Sequence, residues 1–254
     1  MFPLRDGVAR RYPAVMTGGL IVVNTLVFLY QTSLPPPALQ RFLATFALIP
    51  ARYFGDLPFY EAAEGLSDYL PFVTCMFLHG GWLHLILNMW TLWIFGPAVE
   101  DRLGSGRFLS FYLLCGIAAS LAHAVVNEHS LVPTLGASGA IAGVIGCYVR
   151  LFPLARLVMM VPLGFIPLFF EVEAVFFAFF WFLTQIIPGI FSLMVPETEG
   201  GIAWWAHIGG FLAGWTMLPM IRRRPRGYRR FYADEGSYGF YPNGYRSRGG
   251  RLWE

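Results

Sequence analysis

The sequence predicts an all-α polytopic membrane protein, a bundle of six transmembrane helices. Three observations carry that reading. Hydrophobic residues make up 56% of the 254 residues and charged ones only 13%, with a mean hydropathy of +0.56, whereas a soluble domain is about 25% charged. Six apolar runs, at 15–34, 82–99, 108–126, 136–153, 172–194 and 202–221, approach the ~20 residues a helix needs to cross a bilayer. All 18 basic residues are Arg, and six spans with both termini on one side leave only Arg41 and Arg52 on the other. The positive-inside rule makes the Arg-rich side cytoplasmic.

In chain order, residues 1–13 form a short cytoplasmic segment carrying Arg5, Arg10 and Arg11. No small-residue cleavage site follows the first apolar run, so it is expected to be an uncleaved helix rather than a signal peptide. The stretch from Pro35 to Asp68 is a long outer loop that mixes apolar pieces with Pro and acids, and it is expected to lie in the membrane interface. Glu100-Asp101-Arg102-Leu103-Gly104 ends the second span on the inside. Pro153, Pro162 and Pro167 make residues 150–170 a broken, half-inserted inner connection, and Glu171 and Glu173 open the fifth span at the interface. Residues 196–201 read as an outer turn. The six-helix core thus covers 14–222. Residues 223–254, rich in Arg, Gly and Tyr, lack the aliphatic residues for a core and read as a disordered basic tail. That tail serves as a topology anchor; binding of anionic lipid heads is the other reading. Cys75, Cys115 and Cys147 are isolated in apolar contexts, with no spacing for a disulfide framework or a zinc site.

Against this background a few polar side chains stand out. Gly136-Ala137-Ser138-Gly139 begins the fourth span, and the small residues that follow could simply pack helices, with Ser138 as a helix cap. Depth argues for more. Spans two, four and six all run from outside to inside. Counted from the inner ends, Ser138 lies ~18 Å up, His207 ~22 Å, Asn88 ~18 Å and His84 ~24 Å. Four polar groups therefore share one slab of a core ~30 Å thick, where polar side chains are costly and serve function or a watery cavity. His84 and Asn88, at i and i+4, share a helix face. Gly139 and Gly143 opposite Gly210 and Gly214 would bring spans four and six close enough for Ser138 to reach His207. A Ser needs an adjacent base to act as nucleophile, and no acid lies near His207 in sequence, which favours a dyad over a triad.

Gly136-Ala137-Ser138-Gly139, Ala206-His207 followed by Gly210 and Gly214, the run His79-Gly80-Gly81-Trp82-Leu83-His84 ending in Asn88, and Gly96-Pro97 through Gly104 together resemble the rhomboid family of intramembrane serine proteases. The resemblance spans about 15–221. It implies a six-helix rhomboid fold, with Ser138 as nucleophile and His207 as general base. His84, Asn88 and the Ser138 backbone N–H would form the oxyanion hole, and Gly136, Gly139, Gly143, Gly210 and Gly214 would allow close helix packing around the site. The implied activity is cleavage of transmembrane segments near their outer ends. The implied partners are transmembrane protein substrates and the lipid bilayer, with no nucleic acid, metal or cofactor; the setting is a bacterial cell membrane. The sequence specifies no oligomeric state.

Two departures from that pattern stand out. Many family members place an aromatic one turn after the Ser, and here the position is Ala142; the orientation of His207 must come from elsewhere, such as Trp204 or Trp205. The first outer loop also lacks a Trp-Arg pair found in some relatives. In the fifth span, Phe177 and Trp181 resemble the aromatics that relatives place between helices five and two, and so mark a lateral gate. Gln185 reads as gate-lining or as polar glue between helices. His79 reads as a structural hydrogen-bonding group, and His123 and His129 show no metal-ligand spacing. The rival functions are a non-catalytic relative that binds membrane clients, whose members typically lack the Ser or the His, and a small transporter, which would show inverted repeats or acids along a pathway.

Overall fold

The computed structural model describes residues 2–54, 65–163, 166–193 and 202–221. The elements in order are β1 (Phe2–Asp6), α1 (Val15–Ser33), α2 (Pro36–Phe46), α3 (Ala51–Phe54), α4 (Pro71–Thr74), α5 (Trp82–Leu103), α6 (Ser105–Val126), α7 (Ser138–Leu151), β2 (Arg156–Leu163), β3 (Ile166–Glu173), α8 (Ala174–Ser192) and α9 (Trp204–Ile221). Each predicted span coincides with a helix: α1, α5, α6, α7, α8 and α9. Four of them, α1, α5, α6 and α8, are long and apolar enough to cross a membrane. The outer turn at 196–201 and the tail at 223–254 lie outside the described residues, as do 55–64 of the first loop.

α7 has only 14 residues, or ~21 Å of helix. It can be short because it touches helices rather than lipid: every residue from Gly139 to Val149 is buried. It lies closest to α9, and α6 closes against both. The contact depends on missing side chains. A methyl on Gly210 would overlap the Gly139 carbonyl, and one on Gly214 would overlap that of Gly143. A methyl on Gly143 would sit 2.5 Å from Cys115 Cβ, and one on Gly139 2.6 Å from Ala119 Cβ, both on α6. Backbone-to-backbone approach of this kind is how small residues hold membrane helices together.

The ends of the helices are tied by specific groups. Glu100 accepts hydrogen bonds from Met16 N (2.9 Å), Thr17 N (2.7 Å) and the Thr17 hydroxyl (2.7 Å), and Ser105 adds another at 2.6 Å. Its carboxylate therefore caps the positive end of α1, whose own sequence offers no capping side chain. Asp101 takes Tyr12 N and Arg11 N in the same way. Gly104, at φ 81°, then turns α5 directly into α6, a left-handed conformation that glycine adopts at little cost.

One finding departs from the sequence reading. The connection expected to be irregular at 150–170 is a β-hairpin, and β1 from the N-terminal segment adds to it, giving an antiparallel sheet in the order β1-β2-β3. α7 stops at Leu151, and Phe152, just before Pro153, leaves the helical conformation that a following proline disfavours. Beyond it β2 alternates: Leu157 and Met159 are buried, while Arg156 is exposed. The two prolines read as breaks, Pro162 and Pro167, face each other at the far end of the hairpin, where each is tolerated. β1 lies along α5, with Trp90 Nε1 donating to Pro3 O at 2.7 Å. β3 runs straight into α8, and Glu171 pairs with Arg156 at 3.1 Å. The sheet thus runs along α5 at Trp90 and leads into the foot of α8.

Candidate active site

At the end of the bundle away from the Arg-rich face, a cavity of about 1290 Å³ opens over the start of α7. Ser138, His207, His84, Asn88, Gln185 and Trp181 all line it. The four polar groups placed at one depth by the sequence are therefore brought together, from α5, α7 and α9.

Ser138 is the first residue of α7, and the capping position before it is Ala137. Ser138 is thus not the N-cap residue, and the capping role open to a Ser at a helix start falls to a position without a polar side chain. The N–H groups of the first turn have no partner within the helix and face the cavity end with the positive pole of the dipole.

His84 stands across from Ser138. A methyl placed on Gly136 would be 2.8 Å from His84 Nε2 and 3.6 Å from Ser138 Oγ, so the two flank this glycine. Gly136 was expected to serve helix packing. Instead it precedes α7 at φ 127° and leaves room for the His84 ring. The Gly80 N–H donates to His84 Nδ1 at 3.4 Å, which leaves the ring proton on Nε2, the atom against Gly136. Asn88, one turn below, is 7% exposed, and its Nδ2 has no hydrogen-bond partner. A buried amide donor without an acceptor is rare, and this one lies in the cavity wall.

His207 lies one turn into α9. Its Nδ1 is 2.6 Å from Gln185 Oε1. Trp204 meets the imidazole edge-on at 6.4 Å, and Trp181 lies 6.2 Å away and tilted. Of the two residues the sequence offered for orienting this ring, Trp204 touches it; the hydrogen bond comes from Gln185, which the sequence had left between gate and glue. Its signal was there to read: the one amide side chain of a helix made mostly of aromatic and aliphatic residues, one turn beyond Trp181.

The two residues expected to form a gate separate. Phe177 stacks on Phe95 of α5 at 5.4 Å, so it lies between the fifth and second spans. Trp181 instead turns to α9, tilted against Phe211 at 5.9 Å as well as His207, because at this level α8 leans on α9. The remaining histidines have other settings. His79 is fully buried, its backbone paired both ways with the Gln31 side chain (2.6 and 3.2 Å). Burial first, and the neighbouring His84 second, push its imidazole down to about 4, so the ring is neutral near pH 7 and serves as an edge partner for His84. His123 bonds the Thr134 hydroxyl at 2.9 Å and Asn127 at 3.3 Å. No group of three or more metal-ligating side chains occurs among the described residues.

A sequence model of the Rhomboid domain matches residues 67–224. The chain belongs to the rhomboid family. Its relatives include rhomboid protein 1, mitochondrial, of Saccharomyces cerevisiae, 31% identical over 157 residues, which are 60% of this chain and 41% of that one. The human presenilin-associated rhomboid-like protein, mitochondrial, is 30% identical over 205 residues, 77% of this chain and 45% of the relative. Rhomboid protease GluP of Bacillus subtilis is 47% identical over 80 residues, 32% of this chain and 15% of the relative. The match thus spans less than half the length of each of these relatives. This rhomboid is a multi-pass integral membrane protein, and the matched region includes every residue of the cavity singled out above.

Proposed function

We propose that this rhomboid is an intramembrane serine endopeptidase that cleaves transmembrane segments of protein substrates near their outer ends. The observation that carries the proposal is the Ser138 side chain at the head of α7, in one cavity with His207. In this reading Ser138 attacks the scissile carbonyl and His207 takes its proton. The tetrahedral oxyanion is met by His84 Nε2–H, Asn88 Nδ2–H and the Ser138 backbone N–H, donors fixed before the reaction begins. His207 then returns its proton to the leaving amine, and water completes hydrolysis by the reverse route.

The proposed topology puts both termini and the Arg-rich face in the cytoplasm, with the cavity toward the outside. The proposed location is a bacterial cell membrane; several relatives are mitochondrial by name, and membrane fractionation of the native host decides between the two. Retention of both Ser138 and His207 favours a protease over a client-binding relative without activity. The test is labelling of the purified protein by a fluorophosphonate probe, together with cleavage of a model transmembrane substrate. Both are expected in the wild type and absent in Ser138→Ala of unchanged thermal stability. Equal labelling and cleavage in Ser138→Ala would remove the mechanism.

A further inference from the structure

We infer that Gln185 is the positioning residue of the His207 base, holding it in the one tautomer that leaves Nε2 free to accept a proton. This deepens the dyad proposed above and rests on that reading. The argument starts from the amide. Gln185 is 6% exposed, so its donors must find partners inside the protein. They do: Nε2 donates to the Thr184 hydroxyl at 2.8 Å and to Trp181 O at 3.3 Å. The Thr184 hydroxyl spends its own proton on Trp181 O at 2.6 Å, which leaves it able only to accept from Gln185. Both amide protons are thereby assigned to α8 itself; turning the amide over would set Oε1 against Trp181 O and take the Thr184 proton away from its 2.6 Å bond to that carbonyl. The atom facing His207 is Oε1, which accepts and cannot donate.

A contact of 2.6 Å between Oε1 and Nδ1 then requires the proton on Nδ1. A neutral imidazole carries one such proton, so Nε2 is bare. That is the state a general base for Ser138 must occupy, and a base held in the wrong tautomer costs up to ~10⁴ in turnover in a serine protease. Gln185 thus does from α8 what a carboxylate does in a triad, without adding a charge. It also accounts for Ala142, one turn after Ser138: with a hydrogen bond at Nδ1 and indole rings at 6.2 and 6.4 Å, the imidazole needs no restraint from α7.

The test compares Gln185→Leu, which keeps the volume and removes the acceptor, with Gln185→Glu, which keeps an acceptor. The full chain in detergent, labelled with ¹⁵N at the histidine ring nitrogens and assigned by subtraction of His207→Ala, reports the tautomer directly. Wild type is expected to show a protonated Nδ1 and a bare Nε2 at His207, and Gln185→Leu a mixture. Turnover of a transmembrane substrate should fall about 10²-fold or more in Gln185→Leu at unchanged KM, and stay within about tenfold in Gln185→Glu. A wild-type His207 protonated on Nε2, or a folded Gln185→Leu with full kcat, overturns the inference. If Gln185→Leu does not fold, the wild-type spectrum and Gln185→Glu decide. Should the wild type neither cleave nor react with fluorophosphonate, the protease reading fails, while the ring spectrum still reports whether Gln185 sets the tautomer.

Discussion

Asn88 is the residue whose position speaks most directly for a reaction. Its carboxamide is buried in a cavity wall with an amide proton directed at no acceptor, an arrangement that costs stability unless something else fills the space. A carbonyl oxygen gaining negative charge would fill it. Asn88→Ala is therefore expected to lower kcat by about 10²–10³-fold while leaving the folded protein as stable as wild type or more so. Initial rates on a transmembrane substrate and a thermal melt check both halves; a wild-type rate would take Asn88 out of the site. Ser138, His207, His84 and Asn88 were readable from sequence because an ionisable or polar side chain inside an apolar span is conspicuous and its depth can be counted. Gln185 was conspicuous in the same way, but its role was not. What it touches is set by how α8 leans on α9, and helical period carries no information about which of several neighbours a face will meet.

Among the elements, the contact of α7 with α9 places the site. Because Gly214 meets the Gly143 carbonyl directly, Gly214→Ala must push the helices apart, and overpacking of this kind costs about 1–3 kcal/mol. A lower melting temperature and a loss of cleavage are expected together, since the displacement also separates Ser138 from His207. Full activity at a lowered melting temperature would show that the dyad tolerates the shift. The lateral gate calls for a narrower test than the aromatic run suggests. Trp181 lies against the proposed base, so replacing it would confound access with chemistry. Phe177 alone bridges to Phe95. Phe177→Val should raise cleavage of a membrane-embedded substrate by favouring forms in which α8 stands away from α5, with stability lowered by about 1–3 kcal/mol. Unchanged cleavage by the folded variant would place access elsewhere. The helices themselves were legible to within a few residues, since length and apolarity decide them. The sheet was not: its pairing joins β1 to β2 across most of the chain, and three prolines hid an alternation that becomes plain once the strands are laid side by side.

At the scale of the whole molecule, the native cysteines are buried, so single reporters can test orientation against a low background. A cysteine at Thr45, exposed beyond the first span, should react with an impermeant thiol reagent applied from outside, and one at Gly7, exposed beside the sheet, should react only after permeabilisation. The reverse pattern would invert the membrane orientation and place the cavity on the cytoplasmic side. The sheet has a further consequence, one of timing. β1 leaves the ribosome roughly 150 residues before the strand it pairs with, an interval of about 7–30 s at ordinary elongation rates. Throughout it, Asp6 lacks its strand partner Leu157, while α1, α5, α6 and α7 are already entering the bilayer. The finished protein is thus closed at its base by one of the earliest segments to be made, and a fusion partner placed ahead of Phe2 would be felt first as a delay in assembly, before any effect on the assembled cavity.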